Sequence, residues 1–322
     1  MSFSSNVKNE LSHHFGKAKH CNRAELAAII NLCGQIAFIQ GQFCLKIQTE
    51  KVYIARKYFT LLKKTFNIDS EVLVRHNTRL KKNKVYILVV KDRRKIEKIL
   101  KETGLAKSLD GADFLNKHVD ESLVERVCCK RAFMRGAFLA VGSLSDPEKS
   151  YHMEFVIQNE DLAEEIRDII NSFGMDAKIV ERKGHSIVYL KEGEQVVDLL
   201  NIMEAHVSLM ELENVRILKG MRNSINRKVN CEAANIKKTV NASVKQIENI
   251  EYIMKNTDIS KLPEGLRQTA ELRIENPNAS LKELGEMMSP RVGKSGVNHR
   301  LRKLNEIANE LRFNRGEGKS ND

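Results

Sequence analysis

Side chains suited to reading DNA bases are concentrated near the C-terminus, in residues 291–303. This stretch contains five Lys or Arg residues and no Asp or Glu. With about 3.6 residues per turn, a helix here presents four polar side chains on one face, Ser295, Asn298, His299 and Arg302. Arg and Asn pair bidentately with the edges of guanine and adenine, so this face predicts contact with DNA bases. The flanking cations, which suit phosphate groups, are Arg291, Lys294, Arg300 and Lys303.

This basic helix also has an apolar face, which must pack inward. The residues of that stripe are Val297, Leu301, Leu304, Ala308 and Leu311. Ser295 is a candidate N-cap for the helix. A helix that merely packs, or one that binds an acidic protein, is the alternative to a DNA-reading helix.

The preceding segments have to position the basic helix. Pro263 favours a helix start, and the "ENPN" segment ends that helix near Asn276. Ser280 and Glu283 form a predicted capping box that opens a short helix reaching Met288. The apolar face of the short helix comprises Leu281, Leu284 and Met287. A short helix, a compact turn and a longer basic helix predict a helix-turn-helix over residues 279–312, within a domain spanning 257–313.

The charge of the chain is unevenly distributed. Its 54 basic and 42 acidic residues give a net charge of +12. Residues 1–101 carry 21 basic and 7 acidic residues, residues 102–213 carry 12 and 22, and residues 214–322 carry 21 and 13. Two basic segments flanking an acidic one favour binding to a polyanion, because neutralised phosphates release counterions. A merely solvated surface is the alternative.

Cysteine and histidine are the residues that could hold a metal. The six cysteines form no CxxC pair and need not be disulfide-bonded in a reducing compartment. His13, His14, His20 and Cys21 have the donor atoms for zinc but an irregular spacing. We therefore predict neither a metal nor a cofactor.

An internal repeat organises the first two thirds of the chain. "RAELAAIINLCGQIAF" (23–38) is similar to "KRAFMRGAFLAVGSLS" (130–145), and the corresponding glycines are Gly34 and Gly142. Alternating and β-branched runs with helical segments follow each copy in the same order. Two α-β-β-α-β-β-α units, residues 20–105 and 128–213, predict a pseudo-two-fold domain over 1–213.

Two such repeats, each opening with a small-residue helix that ends in Gly, resemble the LAGLIDADG homing-endonuclease fold. With "MSFSSNVKNEL" at the start and "NRKVNCEAANIKKTVNASVKQI" (226–247), nearly the whole chain resembles the bacterial WhiA family. The resemblance implies an α+β class: a LAGLIDADG-like saddle, then an all-α helix-turn-helix domain. A helical connector (214–256) and a disordered tail (314–322) complete the expected organisation. The implied function is DNA-binding regulation of transcription in cell division, chromosome segregation or sporulation.

The nucleases place a metal-binding carboxylate at the eighth position of each motif copy. The copies are residues 26–34 and 134–142, so those positions hold Cys33 and Val141. Mg²⁺ needs oxygen ligands, which neither residue supplies. Asp146 and Glu148 lie beyond the helix end and have no counterparts after Gly34. We therefore predict a non-enzymatic protein whose small motif residues, Ala27, Ala28, Gly136, Ala137 and Ala140, allow close helix packing.

A second basic cluster follows the first repeat's third strand. The hairpin-like stretch "RHNTRLKKNK" carries Arg75, Arg79, Lys81, Lys82 and Lys84, which could contact the DNA backbone or form a solvated turn. The second repeat is acidic. We therefore hypothesise that only the basic half of the saddle binds DNA, while the acidic half remains free for another regulatory protein or for a basic surface of the same chain.

Three other functions compete with a double-stranded-DNA regulator: an active homing-type endonuclease, an RNA-binding protein and a scaffold of the division machinery. The N-terminal residues lack the apolar region of a signal peptide, so we expect a cytoplasmic, nucleoid-associated protein with no membrane partner. The pseudo-dyad leaves the oligomeric state open.

Overall fold

A computed structural model describes residues 2–39, 42–77, 83–106 and 118–315. The chain forms two compact units, residues 1–220 and 221–322. The first is an α+β unit with a repeated layout, and the second is all-helical. No helix within the described ranges is both long and apolar enough to cross a membrane.

The predicted repeat is present in the first unit, with the element order expected from sequence. The first copy comprises α2 (Lys19–Cys33), β1 (Gly34–Ile39), β2 (Gln42–Thr49), α3 (Val52–Phe66), β3 (Glu71–Asn77), β4 (Asn83–Val90) and α4 (Arg93–Glu102). The second comprises α6 (Val127–Val141), β5 (Gly142–Leu144), β6 (Met153–Ile157), α7 (Glu160–Asn171), β7 (Lys178–Arg182), β8 (His185–Leu190) and α8 (Gly193–Ile202). Each motif glycine therefore ends a helix and begins a strand.

Two further helices were not predicted. The N-cap of α1 (Phe3–His13) is Ser2, whose side chain accepts a hydrogen bond from the Ser5 backbone N–H. The helix buries Phe3, Val7 and Leu11. α5 (Glu121–Val124) is a single turn before α6. The burial of α1 makes the N-terminal residues part of the core of the first unit.

The two sheets have the same antiparallel strand order, β1-β2-β4-β3 and β5-β6-β8-β7. Alternate residues of each strand point to the helices or away from them. In the first sheet, the register pairs buried Ile47 with buried Leu88; in the second, it pairs buried Phe155 with buried Val188. We call the other side of each sheet, which carries Arg75 in the first and Glu154 in the second, the open face.

The paired motif helices, α2 and α6, form the interface between the repeats. A Cβ atom on Gly136 would lie only 2.4 Å from the Glu25 carbonyl oxygen and 3.1 Å from the Ala28 Cβ. Glycine is therefore required at this crossing, as the prediction of close small-residue packing implied. Ala27, Ala28 and Ala137 are buried at the same interface, whereas Ala140 is half-buried.

A 51-residue helix, α9 (His206–Asn256), includes the whole segment predicted as a connector. It begins before residue 214, so the connector is not a separate element. Leu212 belongs to the core of the first unit, and Ile250 and Ile253 belong to that of the second. Several exposed apolar residues recur at helical spacing between them, including Met221, Ile225, Val229, Ile236 and Val240.

The second unit packs three helices against the C-terminal part of α9. After a 3-10 turn (Ile259–Lys261) come α10 (Glu264–Glu275), α11 (Leu281–Met287) and α12 (Lys294–Asn314). α10 ends at Glu275 with Asn276 as its C-cap, near the predicted end, and α11 has both hydrogen bonds of the Ser280–Glu283 capping box. Residues 316–322 of the predicted tail lie outside the described residues.

Candidate nucleic-acid interface

The orientation of α12 agrees with the helical-wheel prediction. Val297, Leu301, Leu304 and Ala308 are buried in the core of the unit, and Leu311 packs partly buried against it. On the opposite side, Ser295, His299 and Arg302 are exposed, and Asn298 is half-buried. The helix therefore presents hydroxyl, amide, imidazole and guanidinium groups together on one polar face.

Two predicted residues on α12 have different roles in the structure. Ser295 was expected to be the N-cap, but the helix begins at Lys294 and its N-cap is Gly293. Arg300 was expected to flank the polar face, but its half-buried guanidinium lies under the first turn of α10 and donates to the Gly265 carbonyl at 3.3 Å. Arg300 lies beside the inward stripe of the helix, so packing draws it toward the core.

The remaining flanking cations are exposed. Arg291 precedes the helix, and Lys294 lies in its first turn. Lys303 is 3.6 Å from the Glu306 carboxylate, an ion pair that water and salt screen. These three side chains are free to reach phosphates on either side of the polar face.

The turn between α11 and α12 depends on a close backbone approach. The Val292 backbone N–H donates to the Gly285 carbonyl at 3.0 Å, and a Cβ on Gly285 would lie 2.0 Å from the Val292 carbonyl oxygen. Leu281 and Leu284 pack into the core as predicted. Met287 does not, since it is half exposed, and Met288 is buried instead.

A basic groove that sequence reasoning missed lies beside the N-terminus of α12. Its volume is about 510 Å³, and its lining includes Lys238, Lys282, Lys294 and Asn298. Buried Arg273 also lines it, and burial lowers the pKa of its guanidinium. The groove therefore concentrates positive charge next to the polar face.

Only part of the N-terminal basic cluster can be located. Arg79, Lys81 and Lys82 lie outside the described residues. Arg75 pairs with Val85, whereas Lys84 pairs with His76, so the two basic side chains belong to opposite faces of the sheet. Arg75 shares the open face with Lys46, which the sequence interpretation did not single out.

The acidic residues of the second repeat lie mainly on helices. α7 alone contributes Glu160, Asp161, Glu164, Glu165 and Asp168. On the open face of β5–β8, Glu154 is the single carboxylate among the described strand residues, and Lys178 and Arg182 share that face. The acidic side chains of this repeat therefore lie mainly on its helices and not on the open face of its strands, and their use by a protein partner or a basic surface of the chain stays a prediction.

Cys33 and Val141, the positions of the lost acids, are the last residues of α2 and α6 and line one cavity of about 480 Å³. None of its lining residues within the described chain is Asp or Glu. The Cys33 thiol donates to the Ile29 carbonyl at 3.0 Å, and burial raises its pKa to about 12. Asp146 and Glu148 occupy the exposed turn after β5. This cavity therefore presents no carboxylate ligand for Mg²⁺.

A buried ion network, absent from the sequence interpretation, lies deeper between the repeats. The Glu25 carboxylate is 2.6 Å from Lys57 Nζ and 3.2 Å from Arg135 Nε, and Arg135 reaches Glu204 at 2.6 Å. Burial lowers the pKa of Lys57, while Glu25 opposes that shift. Each of these charged groups is paired with another member of the network, so the Glu25 carboxylate stabilises the core and is not available to bind a metal.

The histidines and cysteines that drew attention in the sequence separate in space. His13 Nδ1 lies 2.8 Å from the Asn9 carbonyl oxygen, and His14 Nε2 lies 3.0 Å from Glu204. His20 and Cys21 instead meet Cys128 and Cys129 from the second repeat.

Comparisons with known proteins cover nearly the whole chain. Three family models match: the WhiA N-terminal LAGLIDADG-like domain (19–106), the WhiA LAGLIDADG-like domain (130–222) and the WhiA C-terminal HTH domain (225–308). A protein of Alkaliphilus metalliredigens is 52% identical over 313 residues, covering 97% of this chain and 99% of its own; one of Lachnoclostridium phytofermentans is 53% identical, covering 97% and 100%. Both are named probable cell division protein WhiA.

A solved structure supports the same fold. The crystal structure of full-length WhiA from Thermotoga maritima matches with a TM-score of 0.59 and 23% identity, covering 96% of this chain and 99% of its own. The matched family regions include most of both repeats and of the helix-turn-helix, except for the first residues of α6 and the last turns of α12. The chain therefore belongs to the WhiA family.

Proposed function

We propose that this chain is a sequence-specific, double-stranded-DNA-binding transcription regulator without nuclease activity. The observation that carries the proposal is the polar face of α12, where Asn298 and Arg302 lie away from the apolar stripe that packs into the core. A helix held in this way by α10 and α11 can enter the major groove, where Asn and Arg discriminate base pairs.

The charge around α12 supports nucleic acid as the ligand. Arg291, Lys294 and Lys303 flank the polar face, and Lys238 and Lys282 line the adjacent groove. Cations in these places bind phosphates and set the register of the helix on the duplex. Arg300 is left out of the interface because it packs against Gly265.

The proposed absence of nuclease activity rests on the residues at the ends of the two motif helices. Phosphodiester hydrolysis of this type uses metal ions to generate the nucleophile and stabilise the developing charge. Cys33 and Val141 replace the carboxylates, and no described residue lining their cavity is acidic. The proposal is that the motif helices retain only their packing role.

The cellular process comes from the relatives, which are named probable cell division proteins. We place this chain in the regulation of cell division, with chromosome segregation and sporulation as the related processes implied by the family resemblance. A regulator acting on chromosomal DNA works in the cytoplasm, at the nucleoid.

The test is selection of duplexes bound by the full chain, followed by titrations with Arg302→Ala. Removing one bidentate base contact should weaken the selected site by about 1–3 kcal/mol while leaving random duplex nearly unchanged. Lys261→Ala, which removes an exposed cation away from α12, is the matched control. Unchanged sequence preference in Arg302→Ala would refute the assignment of α12 as the reading helix.

The competing functions can be tested with the same purified protein. Cleavage of a plasmid by the chain with Mg²⁺ would restore the nuclease hypothesis, and preferential competition by RNA would favour an RNA-binding protein. In cells, a chain lacking residues 262–322 should lose function. Full function of that truncated chain would favour a scaffold.

A further inference from the structure

Four side chains with metal-binding atoms converge at the start of the paired motif helices. His20 and Cys21 lie in the first turn of α2, and Cys128 and Cys129 lie in the first turn of α6. Their Nδ1 or Nε2 and Sγ atoms all lie within 4.8 Å of one another. His20 Nδ1 is 3.1 Å from Cys129 Sγ and 3.4 Å from Cys21 Sγ.

The repeat explains this convergence. His20 and Cys128 are the second residues of their helices, and Cys21 and Cys129 are the third. The two dipeptides therefore occupy equivalent positions in the two copies, in the same register as Gly34 and Gly142. Because α2 and α6 pack against each other about the pseudo-dyad, equivalent first turns meet on its axis.

The spacing of the four atoms suits a tetrahedral ion. Zinc binds thiolate at about 2.3 Å and imidazole at about 2.0–2.1 Å, which places neighbouring ligand atoms about 3.5–3.8 Å apart. The two His–Cys distances are a few tenths of an ångström shorter than that. The upper bound on the distances between all four ligand atoms, 4.8 Å, is longer. Small side-chain rotations therefore suffice to bring all four atoms to one ion.

The donor set also selects the ion. Three sulfurs and one imidazole nitrogen match Zn²⁺ and disfavour Mg²⁺ and Ca²⁺, which need oxygen ligands. Burial raises the pKa of the Cys21 thiol to about 12 and that of the Cys129 thiol above its ordinary value, so metal binding has to displace thiol protons. Cys21 is half-buried, Cys129 is buried and Cys128 is exposed, so an ion can reach the cluster from solvent.

We propose that His20, Cys21, Cys128 and Cys129 hold one Zn²⁺ in a Cys₃His site that joins the two repeats. The ion replaces the three thiol protons, which pass to solvent. Four protein ligands close the coordination sphere, so the site is structural and not catalytic. It lies at the opposite end of the helices from Cys33 and Val141, about 20 Å along a 15-residue helix.

The test uses the full chain, purified after zinc-replete expression in a thiol-free reductant, with metal content measured by mass spectrometry. We expect one zinc per chain, and near zero for Cys128→Ser. Because Cys128 is exposed, this substitution removes a ligand without opening the core. Cys231→Ser, which removes another exposed cysteine, on α9, is the matched control and should keep its zinc.

Two further measurements separate a zinc site from an oxidised cluster. Co²⁺ added to the metal-free chain should give the visible bands of tetrahedral thiolate coordination in the wild type and in Cys231→Ser, and much weaker bands in Cys128→Ser. Chelation of zinc should lower the thermal midpoint of the wild type but not of Cys128→Ser. The proposal would be overturned by equal zinc content in Cys128→Ser and Cys231→Ser, or by a wild type that contains no zinc. It would also be overturned if the mass of the chain in the presence of reductant were lower by two hydrogen atoms, as a disulfide would make it.

Discussion

Buried cations occur in both compact units, but their partners differ. In the first unit, Lys57 and Arg135 contact the carboxylates of Glu25 and Glu204. In the second, Arg273 is 3% exposed and donates to the Ala279 carbonyl at 2.8 Å; within the described chain all its acceptors are uncharged. The first unit therefore neutralises its buried charge internally, whereas the second leaves a net cation beside an open groove.

The two units also differ in the charged side chains that they expose. The cations of α12 and its groove are mostly exposed, and the glutamates that pair with Lys282 and Lys303, at 3.9 and 3.6 Å, are exposed as well, so water and salt screen these pairs. Among the described strand residues, the charges on the open faces of the saddle are Lys46, Glu71 and Arg75 on the first sheet and Glu154, Lys178 and Arg182 on the second. This difference teaches that buried charges need fixed partners, as in the network of the first unit, whereas exposed cations such as those around α12 are hydrated and need none.

The largest effect should come from breaking the paired charges of the first unit. Glu25→Gln leaves Lys57 and Arg135 buried without their shared carboxylate, and we expect it to cost about 3–5 kcal/mol of unfolding free energy. Urea denaturation of the full chain measures this. Glu97→Gln removes a carboxylate that pairs with Arg93 at the surface, and it should cost less than about 0.5 kcal/mol. Equal costs for the two variants would contradict an internal role for the network.

A smaller loss should follow removal of the buried cation of the second unit. Arg273→Ala removes the donor to the Ala279 carbonyl and the longer contacts to Ser243 and Pro277, although the Ser243 hydroxyl still donates to Pro277. We expect the variant to cost about 2–3 kcal/mol in denaturation of the full chain. Glu271→Ala, an exposed change on the same helix, is the control. Arg273→Lys should restore little, because a lysine lacks the planar fork that reaches several acceptors. Full recovery in Arg273→Lys would show that charge, and not geometry, matters here.

The saddle should contribute weakly and without sequence preference. Arg75→Ala removes a cation from the open face, so random-duplex binding should weaken slightly and the salt slope should fall by about 1. Lys84→Ala, on the opposite face of the same hairpin, should leave the slope unchanged. Titrations at several salt concentrations measure both. An identical change in the two variants would mean that the register does not decide which cation meets DNA.

The capping box should have the smallest mutational effect. Ser280→Ala removes the side-chain acceptor for the Glu283 backbone N–H, and we expect about 1 kcal/mol of lost stability, mainly in α11. The readout is thermal unfolding of the full chain, with Ser260→Ala at an exposed position outside the helices of the motif as the control. A loss equal to that of the control would refute a capping contribution.

The partner residue in that box adds a pH dependence of known sign. Hydrogen bonds from Ser280 lower the pKa of the Glu283 carboxyl below its ordinary value. A carboxyl with a depressed pKa stabilises the fold above its unfolded pKa, and this contribution is lost as pH falls through the folded value. Unfolding of wild type and Glu283→Gln should therefore converge on acidification. A constant difference between them down to low pH would contradict this.

Local patterns predicted most of the elements because they depend on near neighbours. The α-β-β-α-β-β-α order, the helix ends at Gly34 and Gly142 and the packed stripe of α12 are all present. The family and fold class are likewise confirmed by the comparisons. The DNA contacts of Asn298 and Arg302 remain predictions.

Errors arose where two elements compete for one side chain. Met287 and Met288 are adjacent in sequence, and only the packing of α12 decides that Met288 enters the core. Arg300 lies at the edge of the inward stripe, where contact with Gly265 turns it away from the polar face. The α1 helix was missed because its short apolar face is recognisable only against the core that covers it.

By itself, the sequence determined the repeat, the replacement of both motif acids and the two faces of α12, because each of these follows from residue type and short-range periodicity. Only the tertiary structure decided that Glu25 meets Arg135, that Arg75 and Lys84 face apart and that His20 and Cys21 meet Cys128 and Cys129. The physical reason is that the crossing of α2 and α6 brings together residues more than a hundred positions apart, while strand register decides which face of the sheet each of two nearby residues occupies. No local pattern in either segment encodes the other's position.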